Sequence, residues 1–149
     1  MDMVDARERL KGYKKAMGEA GIPVTEDMIY YGDYWRRQGE KIVNYFIKDN
    51  TEYPEVIICS NDYMAVSVSD ELKARGIRIP EDISVVGYDG IRIGRHIKPQ
   101  LTTLKQDTAA IGRQAGEKLI SLIEHPKTTL VEQTVIKGDV YEGEIVGYI

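Results

Sequence analysis

Residues 54–65 read Pro-Glu-Val-Ile-Ile-Cys-Ser-Asn-Asp-Tyr-Met-Ala. The first half, residues 56–60, is a short apolar run with β-branched side chains, which suits a strand buried on both faces. The second half opens a helix, because Asn61 and Asp62 are residue types whose side chains accept from the free N–H groups of a first helical turn. A strand passing directly into a capped helix is half of a βαβ unit. In open α/β sheets, ligands sit beyond the carboxyl ends of the strands, where Asn61 and Asp62 fall. On this stretch alone, capping and ligand contact are both open for these two residues.

Working outward, the same strand-helix rhythm recurs. Residues 5–20 carry Ala6, Leu10, Tyr13 and Met17 at helical offsets, and Gly21 with Pro23 ends the pattern. Residues 28–31 read as a short strand, followed by Gly32 and Asp33 as turn and cap. A helix over residues 35–47 then turns Ile42, Val43, Phe46 and Ile47 inward. Downstream, the helix after Asn61 runs through Ala65, Val68 and Leu72 to a stop at Gly76, and residues 83–88 form an apolar strand ending at Asp89. Residues 90–100 hold no sustained period and read as an irregular crossing segment.

Residues 101–106 read as extended, and Asp107 caps a helix with Ile111, Ala115, Leu119 and Ile123 at helical spacing. Gly112 and Gly116 share one face of it. Each costs about 1 kcal/mol against Ala in a helix interior, which close approach of another backbone would justify. Residues 129–140 and 144–149 are strand-like. Strand-helix alternation of this kind predicts an α/β fold on a mainly parallel sheet.

Composition bounds the function. A chain of 149 residues is long enough for one domain with a real core, and its 42% hydrophobic and 30% charged residues are ordinary for a soluble globular protein. The net charge of −4, with basic residues interleaved among acids, argues against a nucleic-acid footprint. No long apolar run or signal peptide is visible. The single Cys59 excludes an intramolecular disulfide framework, fits a reducing cytoplasm, and reads as a buried, inert thiol. Ten tyrosines against one Phe and one Trp supply apolar bodies with polar tips, suited to core edges, wet pockets and interfaces.

If the sheet is parallel, three successive strands deliver Tyr34, then Asn61 and Asp62, then Asp89 to one rim, and the first helix brings Arg7 and Arg9 near it. Arg, Asn, Asp and an aromatic ring together match a polyol, whose adjacent hydroxyls need donors and acceptors and whose carbon face needs a flat apolar surface. Catalysis finds no such support. There is no nucleophile-elbow pattern, His96 and His125 are isolated, and no spacing resembles a metal site. Residues 86–90 with Gly94 lack the Lys-Ser/Thr of a phosphate loop and the spacing of a dinucleotide fingerprint. The expectation is no catalytic residue, no metal and no cofactor.

Four segments carry a resemblance: Arg7-Glu-Arg-Leu-Lys-Gly-Tyr, Ile58-Cys-Ser-Asn-Asp-Tyr-Met-Ala, Ile79-Pro-Glu-Asp-Ile-Ser-Val-Val-Gly-Tyr-Asp and Leu101-Thr-Thr-Leu-Lys-Gln-Asp. In that order and spacing they resemble the lactose/galactose-repressor (LacI/GalR) family of bacterial transcription regulators over residues 5–138. The resemblance implies a three-layer α/β/α lobe with a mainly parallel sheet, of the periplasmic-binding-protein type. Family members carry a helix-turn-helix head, a hinge and a two-lobed sugar-binding core. This chain resembles the second lobe, without head or hinge and without the strand that opens the lobe. Residues 5–100 correspond to the strand-helix units, 101–126 to a crossover and a helix that packs on the first lobe, and 127–149 to C-terminal strands. A truncated effector-binding domain is the implied reading, with apolar surface that seeks cover by self-association or strand exchange and with weak ligand binding by half a cleft.

The resemblance implies effector contacts at Arg9, Tyr34, Asn61, Asp89 and Gln106; Thr108 stands where an aromatic residue can occur, a departure within that part of the pocket. It implies a small-molecule effector, a sugar or related polar metabolite, and a homodimer or strand-exchanged oligomer. The family's dimer surface falls on Val66, Ser69, Asp70 and residues 91–97, whose isoleucines equally suit a core. DNA is bound only through a head absent from this chain, and no membrane is involved. The implied protein is cytoplasmic and not an enzyme. A periplasmic sugar-binding transport protein and a small α/β enzyme are the alternatives.

Overall fold

A computed structural model describes residues 3–33, 38–48, 53–128, 130 and 132–147. The organising stretch forms β1 (Val56–Ile58) and the start of α3 (Asp62–Ala74). Two further crossings add β2 (Ser84–Asp89) and β3 (Thr102–Lys105), and β4 (Asp139–Tyr141) closes the sheet in the order β1-β2-β3-β4. β1 with β2 and β2 with β3 are parallel, while β4 runs antiparallel to β3. The remaining helices are α1 (Val4–Glu19), α2 (Gly39–Phe46), α4 (Arg92–His96) and α5 (Thr108–Glu124). The architecture is α/β on a mostly parallel open sheet, as the alternation predicts.

Local chemistry sets the ends of α3. The Asn61 side chain accepts from the Met64 N–H at 2.8 Å. At the other end Gly76 takes φ +75°; its N–H donates to the Lys73 carbonyl at 2.9 Å and the Ile77 N–H to the Leu72 carbonyl at 3.0 Å. That double bond is a Schellman close, which a side chain with a Cβ disfavours at Gly76. α2 then lies on α3 through Gly39, whose N–H donates to Ser67 Oγ at 2.9 Å and where a Cβ would overlap the Ser67 carbonyl.

The core between these helices and the sheet gathers Val43, Ile57, Val68, Leu72, Ile83, Val85, Leu101 and Ile145, all buried. Burying side chains of this size contributes roughly 1.5–3 kcal/mol each. Along β1 only Ile57 faces this core; Val56 and Ile58 are 40% and 56% exposed. The expectation of a strand buried on both faces is therefore corrected: successive side chains alternate, and among the described residues nothing covers the second face of this edge strand.

Other expectations also change. Residues 28–31 make no strand. A 3-10 turn, Glu26–Met28, leads into Ile29 in extended backbone, and no ladder follows because strand character needs a pairing partner that this segment lacks among the described residues. Of the described residues within 129–140 only the last two join β4, and the others are mostly exposed. The described part of the tail, residues 144–147, is not a strand either, although Ile145 is fully buried and its carbonyl accepts from the Val85 N–H at 3.2 Å. Within residues 90–100 the short helix α4 appears, too brief for its period to show in sequence. Its Ile93, like Ile91 and Ile97 beside it, is half-buried, and Ile97 packs on the core.

α1 and α5 form at the positions their periodicity predicts. In α1 no residue is fully buried, and Ala6, Leu10, Tyr13 and Met17 lie on its less exposed side. α5 is capped by Asp107, whose carboxylate accepts from the Ala110 N–H at 2.9 Å. Only Ala110 of α5 is buried; Leu119, Ile120 and Ile123 are more than half exposed. Among the described residues, Gly112 and Gly116 have nothing within 4 Å of where a Cβ would stand, so the close backbone approach expected there is not made by any of them.

Candidate functional site

Because β1, β2 and β3 are parallel, Ser60, Asp89 and Gln106 emerge at the same carboxyl edge. α1 runs past this edge and sends Arg9 into it. One guanidinium nitrogen of Arg9 donates to the Ser60 carbonyl, and Nη2 meets Asp89 Oδ1 at 2.9 Å. The guanidinium carbon lies 3.8 Å from the centre of the Tyr88 ring, a stacked cation–π arrangement. Gln106 Nε2 donates to the same Asp89 oxygen at 2.8 Å. Arg9 and Asp89 keep 15% and 26% of their side-chain surface exposed, so the pair is held yet reachable from solvent.

Asp89 has a φ of 112°, the one positive value at a non-glycine among the described residues, and Gly90 follows at +71°. Such a backbone costs about 1–3 kcal/mol and persists only where its surroundings hold it. Here the Gly90 N–H donates to Thr103 Oγ1 at 3.3 Å and the Ile91 N–H to Asp62 Oδ2 at 2.7 Å. The Thr103 hydroxyl in turn donates to Asp62 Oδ1 at 2.6 Å. Asp62 has no exposed surface, and burial raises its carboxyl above the ordinary value against the lowering effect of its bonds from Thr103 and Ile91.

Of the residues expected at the site, Arg9, Asp89 and Gln106 are brought into direct contact. Asn61 stands at the same edge, buried, with its side-chain oxygen engaged in capping α3. Tyr34 lies outside the described residues. Arg7 is exposed. Tyr88 and Thr103 are not singled out by the sequence reading, and Asp62 is placed there at the rim without an assigned contact. Tyr88 adjoins Asp89, but its stacking under Arg9 depends on where α1 lies. Asp62 and Thr103 are 41 positions apart, and no spacing rule couples them.

Chemically, the edge offers guanidinium donors, a carboxylate acceptor and an aromatic face. Among the described residues no group of three or more His, Cys, Asp or Glu is disposed to hold a metal ion. No helix among them is long and apolar enough to cross a membrane. Cys59 lies buried in the core, and burial, with the nearby Asp62 charge, pushes its thiol up to about 12, which fits the inert thiol expected from sequence.

Residues 2–144 match the family model described as a periplasmic binding protein-like domain. The HTH-type transcriptional repressor PurR of Photobacterium profundum is 40% identical over 120 residues, which are 79% of this chain and 35% of that protein. The solved complex of the transcriptional regulator CelR with cellobiose superposes with a TM-score of 0.87 at 30% identity, over 97% of this chain and 44% of that one. A sugar-binding transcriptional regulator of the LacI family from Escherichia coli, complexed with phosphate, gives a TM-score of 0.84 at 26% identity, over 98% of this chain and 51% of that one. The chain thus spans about a third of the repressor's length and about half of each solved chain.

Proposed function

The chain belongs to the periplasmic binding protein-like domain family, and on that footing we propose that it forms one wall of the effector site of a LacI-type transcriptional regulator. The observation that carries this reading is the Arg9, Asp89 and Gln106 cluster over Tyr88 at the carboxyl edge of the sheet. Arg9 clamps hydroxyl or carboxylate oxygens of the effector, Asp89 accepts from its hydroxyls, and Gln106 sits at the mouth of the cleft. Asn61 and Tyr34 complete the wall, Tyr34 by stacking. The effector is a sugar or a related polar metabolite, and binding involves no cofactor.

Residues 5–100 are the lobe that carries this wall, and 101–126 lead to a second lobe on which α5 packs. Effector binding between lobes favours one relative orientation, and the preference passes through a dimer to a DNA-binding head; the shift is bounded by the effector's differential affinity for the two states. The parent protein works in the cytoplasm, contacts no membrane and turns over no substrate. Kinship with PurR and LacI-type regulators favours this reading over a transport protein of the same fold.

The test is calorimetric titration of neutral sugars, cellobiose first, into the parent chain and into Arg9→Ala. Weak binding that disappears in Arg9→Ala is expected. Submicromolar affinity of this chain alone would contradict the half-cleft, and sugar binding unchanged by Arg9→Ala would remove the site. In a complete regulator, Asn61→Ser separates its two roles, since Ser still caps α3 but shortens the contact.

A further inference from the structure

We propose that Asp62 is the positioning residue of this site: together with the Thr103 hydroxyl it holds the two amides that follow Asp89, and so fixes where the Asp89 carboxylate points. The inference rests on the reading of the Arg9 and Asp89 edge as an effector site. Asp62 itself cannot touch a ligand, having no exposed surface. Each of its oxygens is engaged, Oδ1 by the Thr103 hydroxyl at 2.6 Å and Oδ2 by the Ile91 N–H at 2.7 Å. Thr103 Oγ1 extends the hold to the Gly90 N–H at 3.3 Å. α3, β3 and the turn after β2 are thereby tied at one carboxylate.

The tie falls where the backbone needs it. Asp89 and Gly90 both carry positive φ, and a non-glycine residue does not keep that conformation unaided. Space is reserved for the carboxylate as well. Gly87, two residues before Asp89 in β2, has no side chain, and a Cβ there would overlap Asp62 Oδ1 and come within 2.8 Å of Leu101 Cδ2. Released from these two amides, the turn relaxes, and the Asp89 oxygen leaves the point where it meets Arg9 Nη2 at 2.9 Å and Gln106 Nε2 at 2.8 Å.

The experiment is nuclear magnetic resonance of the ligand-free chain, reading solvent exchange of the Arg9 guanidinium protons in the parent, Asp62→Asn, Thr103→Val, Thr103→Ser and Asp89→Asn. Asp89→Asn sets the scale for a weakened pair. Asp62→Asn and Thr103→Val are expected to accelerate Arg9 exchange by about tenfold, the loss of one hydrogen bond's worth of protection. Thr103→Ser, which keeps the hydroxyl, is expected to exchange like the parent. Backbone amide spectra of the α3 and β2 core establish that each variant is folded; if Asp62→Asn does not fold, the Thr103 pair decides. Parent-like Arg9 exchange in Thr103→Val, or equal acceleration in Thr103→Ser, overturns the proposal. No sugar enters the experiment, so a failure of positioning is separate from a failure of the effector reading in the titration.

Discussion

Arg9 and Asp89 lie 80 positions apart in the chain and meet at 2.9 Å, joining a helix with no buried residue to the end of the central β2 strand. The same guanidinium reaches the Ser60 carbonyl and stacks on Tyr88. One side chain therefore connects α1 to the ends of two neighbouring strands.

Replacing Arg9 should loosen α1 before it unfolds the core. Arg9→Ala is expected to lower global stability by only about 1 kcal/mol, because the pair is part-exposed and the core does not include α1. Backbone hydrogen exchange should nevertheless accelerate across residues 4–19 while β2 and α3 stay protected. Uniform acceleration over the whole chain would refute this local attachment.

Two aspartates should give stability slopes of opposite sign with pH. Burial raises the Asp62 carboxyl above its ordinary 3.8, so the folded state holds this proton more tightly and Asp62's contribution falls as pH rises from that value through the raised one. Asp82 is held down to about 2, chiefly by its hydrogen bonds from Arg78, so its contribution is present above 3.8 and is lost as pH falls toward 2. Denaturant unfolding across this range should show Asp62→Asn gaining on the parent as pH rises and Asp82→Asn gaining on it as pH falls. Parallel curves would contradict both assignments.

Glycine positions should separate by what surrounds them. Gly39→Ala places a methyl group on the Ser67 carbonyl where α2 meets α3, and overpacking of this kind costs typically 1–3 kcal/mol, about the whole contribution of a well-buried side chain. Gly112→Ala and Gly116→Ala meet no described residue within 4 Å outside their own helix, and each should stabilise by up to about 1 kcal/mol. Thermal unfolding of the three variants reads the contrast directly. A neutral Gly39→Ala would show that α2 can shift at little cost.

The exposed apolar side of α5 should govern association. Leu119, Ile120 and Ile123 are 59%, 56% and 69% exposed. Gel filtration across a concentration series is expected to show the chain self-associating, with Leu119→Lys combined with Ile123→Lys shifting it toward monomer at unchanged circular dichroism. A strictly monomeric parent at every concentration would rule the association out.

The sequence by itself determined those features whose causes are local. Asn61 and Asp107 accept from backbone amides three residues on, Gly76 supplies a positive φ, and the apolar spacing of α1, α3 and α5 selects their helices. Strand-helix alternation was enough for a parallel sheet, and parallel strands put Asp89 and Gln106 on one edge. Tertiary structure alone decided whatever depends on a distant partner. Among the described residues, residues 28–31 are apolar enough for a strand but find no neighbouring ladder, and the outer side of β1 finds no cover. The stacking of Arg9 on Tyr88, and the tie from Asp62 through Thr103 to the turn after Asp89, join side chains tens of residues apart. Caps and periodicities are interactions within a turn or two of chain and are written in adjacent residues, whereas ladders, ion pairs and buried carboxylates exist only once folding brings separate segments within hydrogen-bonding distance.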